Sequence, residues 1–327
     1  MKTRTYLLQK IGQVVLTMFF ILLFNFLLFR VMPGNPAVLL ARAAGARLTK
    51  ADQLQLIRDL GLDKPLIGQF FTYIGDTLRG NLGKSTIVYP GQSVMSIFSE
   101  FLRPTLILVG ISTILSTIFG VLMGIHAGWR RGSRFDLSSM GFSLVLYAMP
   151  EWWLGILLLI FFAVTLGLFP TGGLVSVTQT YTGFGHFVDL LNHLFLPCLT
   201  LTLAYLGEYY LLMRSSLLDV LGEEYITLAR AKGLREKLVL WRHAVRNALL
   251  PTVTLVALNF GYVLAGAITV ETVYSYPGLG KLTFDALSAK DFPLLQGMFL
   301  FFSLAVIIAN LIADLLYAYL DPRVREA

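Results

Sequence analysis

Residues 223–251 read EEYITLARAKGLREKLVLWRHAVRNALLP, and the setting of this stretch decides the fold. It carries nine acidic and basic side chains, yet strongly apolar runs lie on both sides of it. The chain around it has 327 residues, of which 56% are hydrophobic and only 14% charged, with a mean hydropathy of +0.72. A water-soluble domain carries about a quarter charged residues, so most of this surface cannot face water. A charged segment in such a chain reads as a loop between membrane-crossing helices.

Outward from the loop, apolar runs cover residues 11–32, 104–128, 138–166, 194–215, 251–273 and 297–320. Each is long enough to cross a hydrocarbon core that needs about 20 helical residues. Each must be helical, because lipid offers no partner for backbone N–H and C=O groups. The expected fold is an all-α membrane protein of six transmembrane helices, with a helical extracytoplasmic segment between the first two. Its parts are the N-terminus and first helix (1–32), the outer segment (33–103), a five-helix core (104–320) with a charged loop at 216–250, and a tail (321–327).

Orientation follows from Lys and Arg. With the N-terminus inside, the cytoplasmic pieces hold fifteen and the short outer connections, 170–192 and 274–296, hold two. The outer segment exceeds the loop length of about 60 residues over which the positive-inside rule applies. Both termini and the 223–251 stretch are therefore expected in the cytoplasm. The net charge of +7 falls at membrane edges, which favours topology over nucleic-acid binding. The basic start, apolar run and Ala41-Arg42-Ala43 imitate a cleaved signal peptide. However, the run 11–32 exceeds the roughly 7–15 residues of such a signal's apolar region, so a retained helix is expected.

Several motifs point away from chemistry in this chain. GNLGKST (80–86) resembles the end of a phosphate-binding loop. Leu78 stands where that pattern needs glycine, and no strand precedes it, so it reads as a turn. His126, His186, His193 and His243 are scattered, and the single cysteine, Cys198, allows neither an internal disulfide nor a multi-cysteine metal site. No GxSxG or HExxH occurs. No metal site, cofactor or catalytic residue is expected here, which leaves a membrane-embedded enzyme as the weaker rival class. In the outer segment, Leu54, Ile57 and Leu60 followed by Gly61 have helical spacing.

Polar groups inside apolar runs are costly and so suggest function. Glu208 in the fourth run and Asn259 in the fifth reach similar depth in the cytoplasmic half, because the two spans run in opposite directions. They either line a polar path or hydrogen-bond between helices for packing. Glu151 and Asp314 are weaker candidates. GYVLAGA (261–267) places small residues in the fifth run, which allow close helix approach or a bend.

Within the opening stretch, good helix formers run from Glu223 to Lys232, and Gly233 suits the left-handed residue after a helix. A second helix is expected from about Arg235 to Leu249, with Leu238, Trp241, Val245 and Ala248 on an apolar stripe. Arg235, Arg242 and Arg246 share an adjoining stripe, and Pro251 begins the next span. Two readings stay open: an interfacial helix with arginines on lipid phosphates, or an element docked into a groove on a cytoplasmic partner.

At this point EEYITLARAKGL…RHAVRNALLP resembles the cytoplasmic coupling loop of permease subunits of bacterial ABC importers, in the dipeptide/oligopeptide permease family. RVMPGNP, LGLDKPLIGQF, RGNLGKS, RPTLIL, MPEWWLG, LFPTGG, ETVYSYPGLGKL, KDFPLLQG and NLIADLLYAYLDPRVR extend the resemblance, in order, over nearly the whole chain. It departs from the wider importer pattern EAA-x3-G-x9-I-x-L-P. Thr227, Leu228 and Ala229 take the EAA positions, and Pro251 lies 18 rather than 13 residues after Gly233. The resemblance therefore implies the coupling role but no role for a glutamate at 227.

It further implies a multi-pass protein of the bacterial inner membrane. Its partners would be a second homologous permease chain (a heterodimer), two cytoplasmic ATP-binding subunits and an extracytoplasmic substrate-binding protein. ATP and magnesium would belong to the ATPase subunits, not to this chain. Glu224, Tyr225, Thr227, Leu228, Ala229, Arg230, Ala231, Lys232, Gly233 and Leu234 would form the docking helix. Arg242, His243, Arg246 and Asn247 would brace it. Nickel-type and oligosaccharide permeases resemble the same pattern, so the cargo stays open beside peptides.

Overall fold

The computed structural model describes residues 3–31, 65–177 and 181–320. The helix expected around Leu54–Gly61 and the tail 321–327 lie outside the described residues. In chain order the helices are α1 (Thr3–Val31), α2 (Leu66–Leu78), α3 (Val94–Trp129), α4 (Arg134–Ala148) and α5 (Glu151–Leu158), the last continued by a π-helical stretch, Leu159–Thr165. Then come α6 (Phe184–Leu221), α7 (Glu224–Ala231), α8 (Glu236–Leu238) with a π-helical stretch Val239–Val245, α9 (Arg246–Val273), α10 (Leu279–Ala289) and α11 (Phe292–Leu320). Among the described residues the sole β-type contact is a bridge between Lys84 and Ser93.

Four described helices, α1, α3, α6 and α11, are long and apolar enough to cross a membrane. The run 138–166 is not one straight helix: α4 and α5 meet at 105° and make a fifth span if the pair is one. The cause is Pro150. The residue before a proline is driven out of the helical region, and Met149 has φ −87° and ψ 126°. The fifth expected run, 251–273, falls on α9, where the side chains of residues 260–266 lie outside the described set.

The chain divides into two compact units. In the unit formed by Pro104–Gly280 and the residues from Ile308 onward, α6 is the central helix. Gly120 and Gly124 of α3 lie against it so closely that a Cβ on either would come within 2.7 Å of Tyr209 Cβ or 2.8 Å of the Tyr210 carbonyl. On the α4 side of the same helix, a Cβ on Gly207 would meet the Ser143 carbonyl at 2.6 Å. Such small residues suit a bundle in which dispersion contacts, not expulsion of water, hold helices together. Arg214 of α6 grips the buried Asp136 of α4 through two bonds of 2.6 and 2.9 Å. Both π-helical stretches belong to this unit.

The second unit comprises residues up to Arg103 and Lys281–Ile307. Asn25 of α1 donates to the Gln296 carbonyl at 3.0 Å, and Phe26 meets Phe70 edge to face at 5.3 Å. Many large side chains of α1, among them Val15, Phe20 and Phe24, remain exposed. That surface would be costly in water and fits acyl chains.

Candidate functional site

The 223–251 stretch folds as the two short helical pieces its sequence suggests, with one shift of register. α7 begins with Glu224 and ends with Arg230 and Lys232 near its C-terminus, charges that suit the helix dipole. Gly233 has φ +74°. Its N–H bonds the Arg230 carbonyl at 2.9 Å and the Leu234 N–H reaches the Ala229 carbonyl at 3.4 Å. These two bonds, with Ala229 and Leu234 in one apolar cluster, make a Schellman ending. The turn is therefore built by glycine, as expected.

Ile226 and Ala229 face inward and pack with Met213, Leu217, Val239 and Val245. Glu224, Tyr225, Thr227, Leu228, Arg230, Ala231, Lys232 and Gly233 are exposed, with Leu228 at 55% the most open large apolar side chain of α7. Leu234 is half-buried. Arg230 lies 5.7 Å from the centre of the Trp129 ring and 3.3 Å from Glu236 across the turn. An exposed pair of this kind adds little stability; the apolar seat fixes α7.

The apolar stripe expected after the turn is corrected by the structure. Leu238 and Trp241 are exposed, and the inward residues are Val239, Ala244, Val245 and Ala248. The π-helical stretch Val239–Val245 adds residues to the turn and so rotates the buried face away from a 3.6-residue count. Pro251 does not open a new helix either; it lies inside the continuous α9. Arg242, His243, Arg246 and Asn247 converge with Tyr225 on an open cavity of about 510 Å³, whose remaining wall is Leu249, Leu250 and Val253. Asn247 donates its amide to the Tyr225 hydroxyl at 2.8 Å, which ties the root of α7 to α9. Arg235 does not join this group; it stands at the start of α8.

The structure brings Glu208 and Asn259 together. The Asn259 amide donates to Glu208 Oε2 at 2.8 Å, and also lies 3.5 Å from the Tyr209 hydroxyl. Asn259 is buried and Glu208 half-buried, so the pair links α6 to α9 within the bundle. Glu151 accepts a hydrogen bond from Tyr205 at 2.9 Å.

Besides Asp136 and Asp189, two fully buried carboxylates went unread in the sequence. Asp291 precedes α11 and accepts bonds from the Ser85 and Thr86 hydroxyls and from the backbone N–H groups of Thr86, Ile87 and Val88. Burial pushes this carboxyl up, but the Ser85 hydroxyl and the three backbone donors outweigh it and hold Asp291 below its ordinary range. The signal was local: an aspartate directly before Phe-Pro at a helix start is a cap. Its second partner, the GNLGKST loop, carried no such signal. Glu271 at the end of α9 is fully buried, takes the Thr105 hydroxyl at 2.7 Å and accepts the Gly280 N–H at 2.7 Å. It holds the backbone of the PGLG turn at Gly280; a side chain on Gly278 would collide with it.

Comparison with known proteins gives a consistent outcome. A family model described as "Binding-protein-dependent transport system inner membrane component" matches residues 116–326. A second, described as the N-terminal part of such a membrane component, matches residues 3–90. The dipeptide transport system permease protein DppB of Escherichia coli is 37% identical across 98% of this chain and 98% of its own. The oligopeptide transport system permease protein AppB of Bacillus subtilis is 35% identical across 93% and 94%. A glutathione transport system permease protein, GsiC of Pectobacterium atrosepticum, is 38% identical across 98% of each. Among solved structures, a chain of the MetNI methionine ABC transporter in an inward-facing conformation superposes with a TM-score of 0.55. It shares 14% identity over 69% of this chain and 97% of that one, so the likeness is one of fold.

Proposed function

The chain belongs to the family of binding-protein-dependent transport system inner membrane components, and from that premise we propose that it is the permease subunit of an ATP-driven importer of dipeptides or oligopeptides. The carrying observation is the near full-length similarity to a dipeptide permease, 37% over 98% of both chains. In this reading six spans (α1, α3, the α4–α5 pair, α6, α9 and α11) cross the membrane, with both termini and the 216–250 loop in the cytoplasm. The bend at Pro150 then lies within one span. The chain forms half of the translocation path, a homologous permease chain supplies the other half, and an extracytoplasmic binding protein delivers the peptide.

ATP chemistry belongs to two cytoplasmic ATPase subunits, each receiving one coupling helix. Here that helix is α7 and the turn at Gly233, with Leu228 as the apolar knob a groove would accept and Arg230 and Lys232 beside it. The inward face of α7 sits on α6 and the π-helical stretch, so a push on α7 is delivered to the bundle. Coupling requires that the ATPase states prefer different positions of α7, because only differential binding shifts a conformational equilibrium. Glu208 and Asn259, joined across α6 and α9, are the proposed polar lining of the path.

The decisive experiment is purification of the chain from its native membrane in mild detergent and identification of what accompanies it. An ATPase pair and a second permease chain are expected, and the ligand of the associated binding protein names the cargo. A chain that purifies alone, or with no ATPase, overturns the proposal.

A further inference from the structure

The cavity at the root of α7 has two chemically distinct halves. One half is cationic and donor-rich: Arg242, Arg246, His243 and the Tyr225 hydroxyl. Among the described residues no carboxylate pairs with Arg242 or Arg246. Because Asn247 donates to the Tyr225 oxygen, the Tyr225 proton must point elsewhere and is available to an acceptor in the cavity. The other half is apolar, formed by Leu249, Leu250 and Val253. Val253 lies two turns beyond Arg246 on α9, about 10 Å deeper along a helix rising 1.5 Å per residue. The apolar wall thus leads from the basic head along the same helix into the membrane run.

We infer that this cavity is a binding site for an anionic phospholipid of the cytoplasmic leaflet. Its phosphate would sit between Arg242, Arg246 and Tyr225, and its first acyl carbons would follow Leu250 and Val253. Charge complementarity selects an anion, since guanidinium forks match phosphate oxygens. The apolar wall selects a lipid over a free anion, which would leave that wall unfilled. Tyr225 makes the site depend on the seating of α7, so an occupied cavity would steady the helix that meets the ATPase. This inference rests on the topology proposed above, which places the loop in the cytoplasm.

The test uses the complete importer in nanodiscs of equimolar phosphatidylcholine and phosphatidylglycerol, with retained lipids counted by native mass spectrometry. Retention of phosphatidylglycerol over phosphatidylcholine is expected, lost roughly thirtyfold when Arg242→Gln and Arg246→Gln remove two charges worth about 1 kcal/mol each near a lipid surface. Val253→Trp, which fills the apolar end and leaves both arginines, is expected to weaken retention as well and serves if the double variant does not fold. Phosphatidylglycerol retained equally by the Gln pair or by Val253→Trp overturns the inference. So does inorganic phosphate binding as tightly as the lipid, or a complete importer that retains no more phosphatidylglycerol than phosphatidylcholine. Wild-type chain that carries phosphatidylglycerol but no ATPase would strike the docking reading and leave this one standing.

Discussion

The GNLGKST turn and the Arg242–Asn247 turn are both donor-rich segments suited to an anion, and they treat their donors in opposite ways. At the end of the first, the Ser85 and Thr86 hydroxyls and the consecutive N–H groups of Thr86, Ile87 and Val88 close on Asp291 of the same chain. In the second, two arginines and a tyrosine hydroxyl stand around an open cavity. A phosphate-loop-like sequence has thus become a clamp on an internal carboxylate, while an ordinary-looking helical segment keeps its donors for something else. Buried donors must be paired, so satisfied donors mark what holds the fold. Cationic donors left open mark where the molecule expects company.

The comparison breaks most visibly at Asp291. Asp291→Ala removes the acceptor of the buried Ser85 hydroxyl and of the half-buried Thr86, Ile87 and Val88 N–H groups, and a donor left unpaired away from water costs about 1–3 kcal/mol. The expected outcome is a chain that loses several kcal/mol, read as a large fall in melting temperature or loss of the monodisperse peak in detergent. An unchanged melting temperature would show that water replaces the carboxylate and that the clamp is ornamental. The same group sets a pH dependence. Its native value lies below the ordinary 3.8, so the unfolded chain binds the proton more readily. The stability it supplies is full at neutral pH and is lost only as pH falls below that ordinary value toward the native one. Melting temperatures should show no contribution from Asp291 to any change between pH 7 and about 5, a comparison made against Asp291→Asn.

Gly233 comes next. Its φ of +74° is a left-handed conformation that strains a β-branched residue by about 1–3 kcal/mol. Gly233→Val is expected to leave the chain inserted, because the strain is confined to an exposed turn, yet to misplace α7 against its partner. Peptide-stimulated ATP hydrolysis in the reconstituted importer should fall. Wild-type stimulation would remove the turn from the coupling route. A smaller effect is expected from Glu208→Gln. Polar pairs between membrane helices average about 0.6 kcal/mol, so assembly should survive while uptake changes. Identical uptake kinetics would return the Glu208–Asn259 pair to packing.

What the sequence made legible was local. Long apolar runs announced their helices, and Gly233 announced its turn, because both signals are carried by neighbouring residues. The bend at Pro150 was marked by the proline itself, but the length of run 138–166 masked it. The π-helical stretch at Val239–Val245 left no trace, since a 3.6-residue count fits its residues equally well until packing chooses. That is why Leu238 and Trp241 looked like core and are exposed. The glycines Gly120, Gly124 and Gly128, spaced by four on α3, went unread in the sequence, and the structure shows them as its close-approach face to α6. The Asp291 clamp was not, because Ser85 and Asp291 are 206 residues apart and nothing in either segment names the other.

The smallest stability effect sharpens the comparison furthest. Arg242 is exposed and pairs with no carboxylate among the described residues, so Arg242→Ala should change stability in detergent by less than about 0.5 kcal/mol. Asp291→Ala should exceed that severalfold in the same assay. If Arg242 serves a lipid, its removal should matter only when an anionic lipid is present: the melting temperature of the wild-type chain should rise on adding phosphatidylglycerol, as any ligand selective for the native state requires, and that of Arg242→Ala should rise less. A variant that is destabilised in detergent alone would mean that Arg242 already has an internal partner, and the contrast between closed and open donors would no longer separate fold from function.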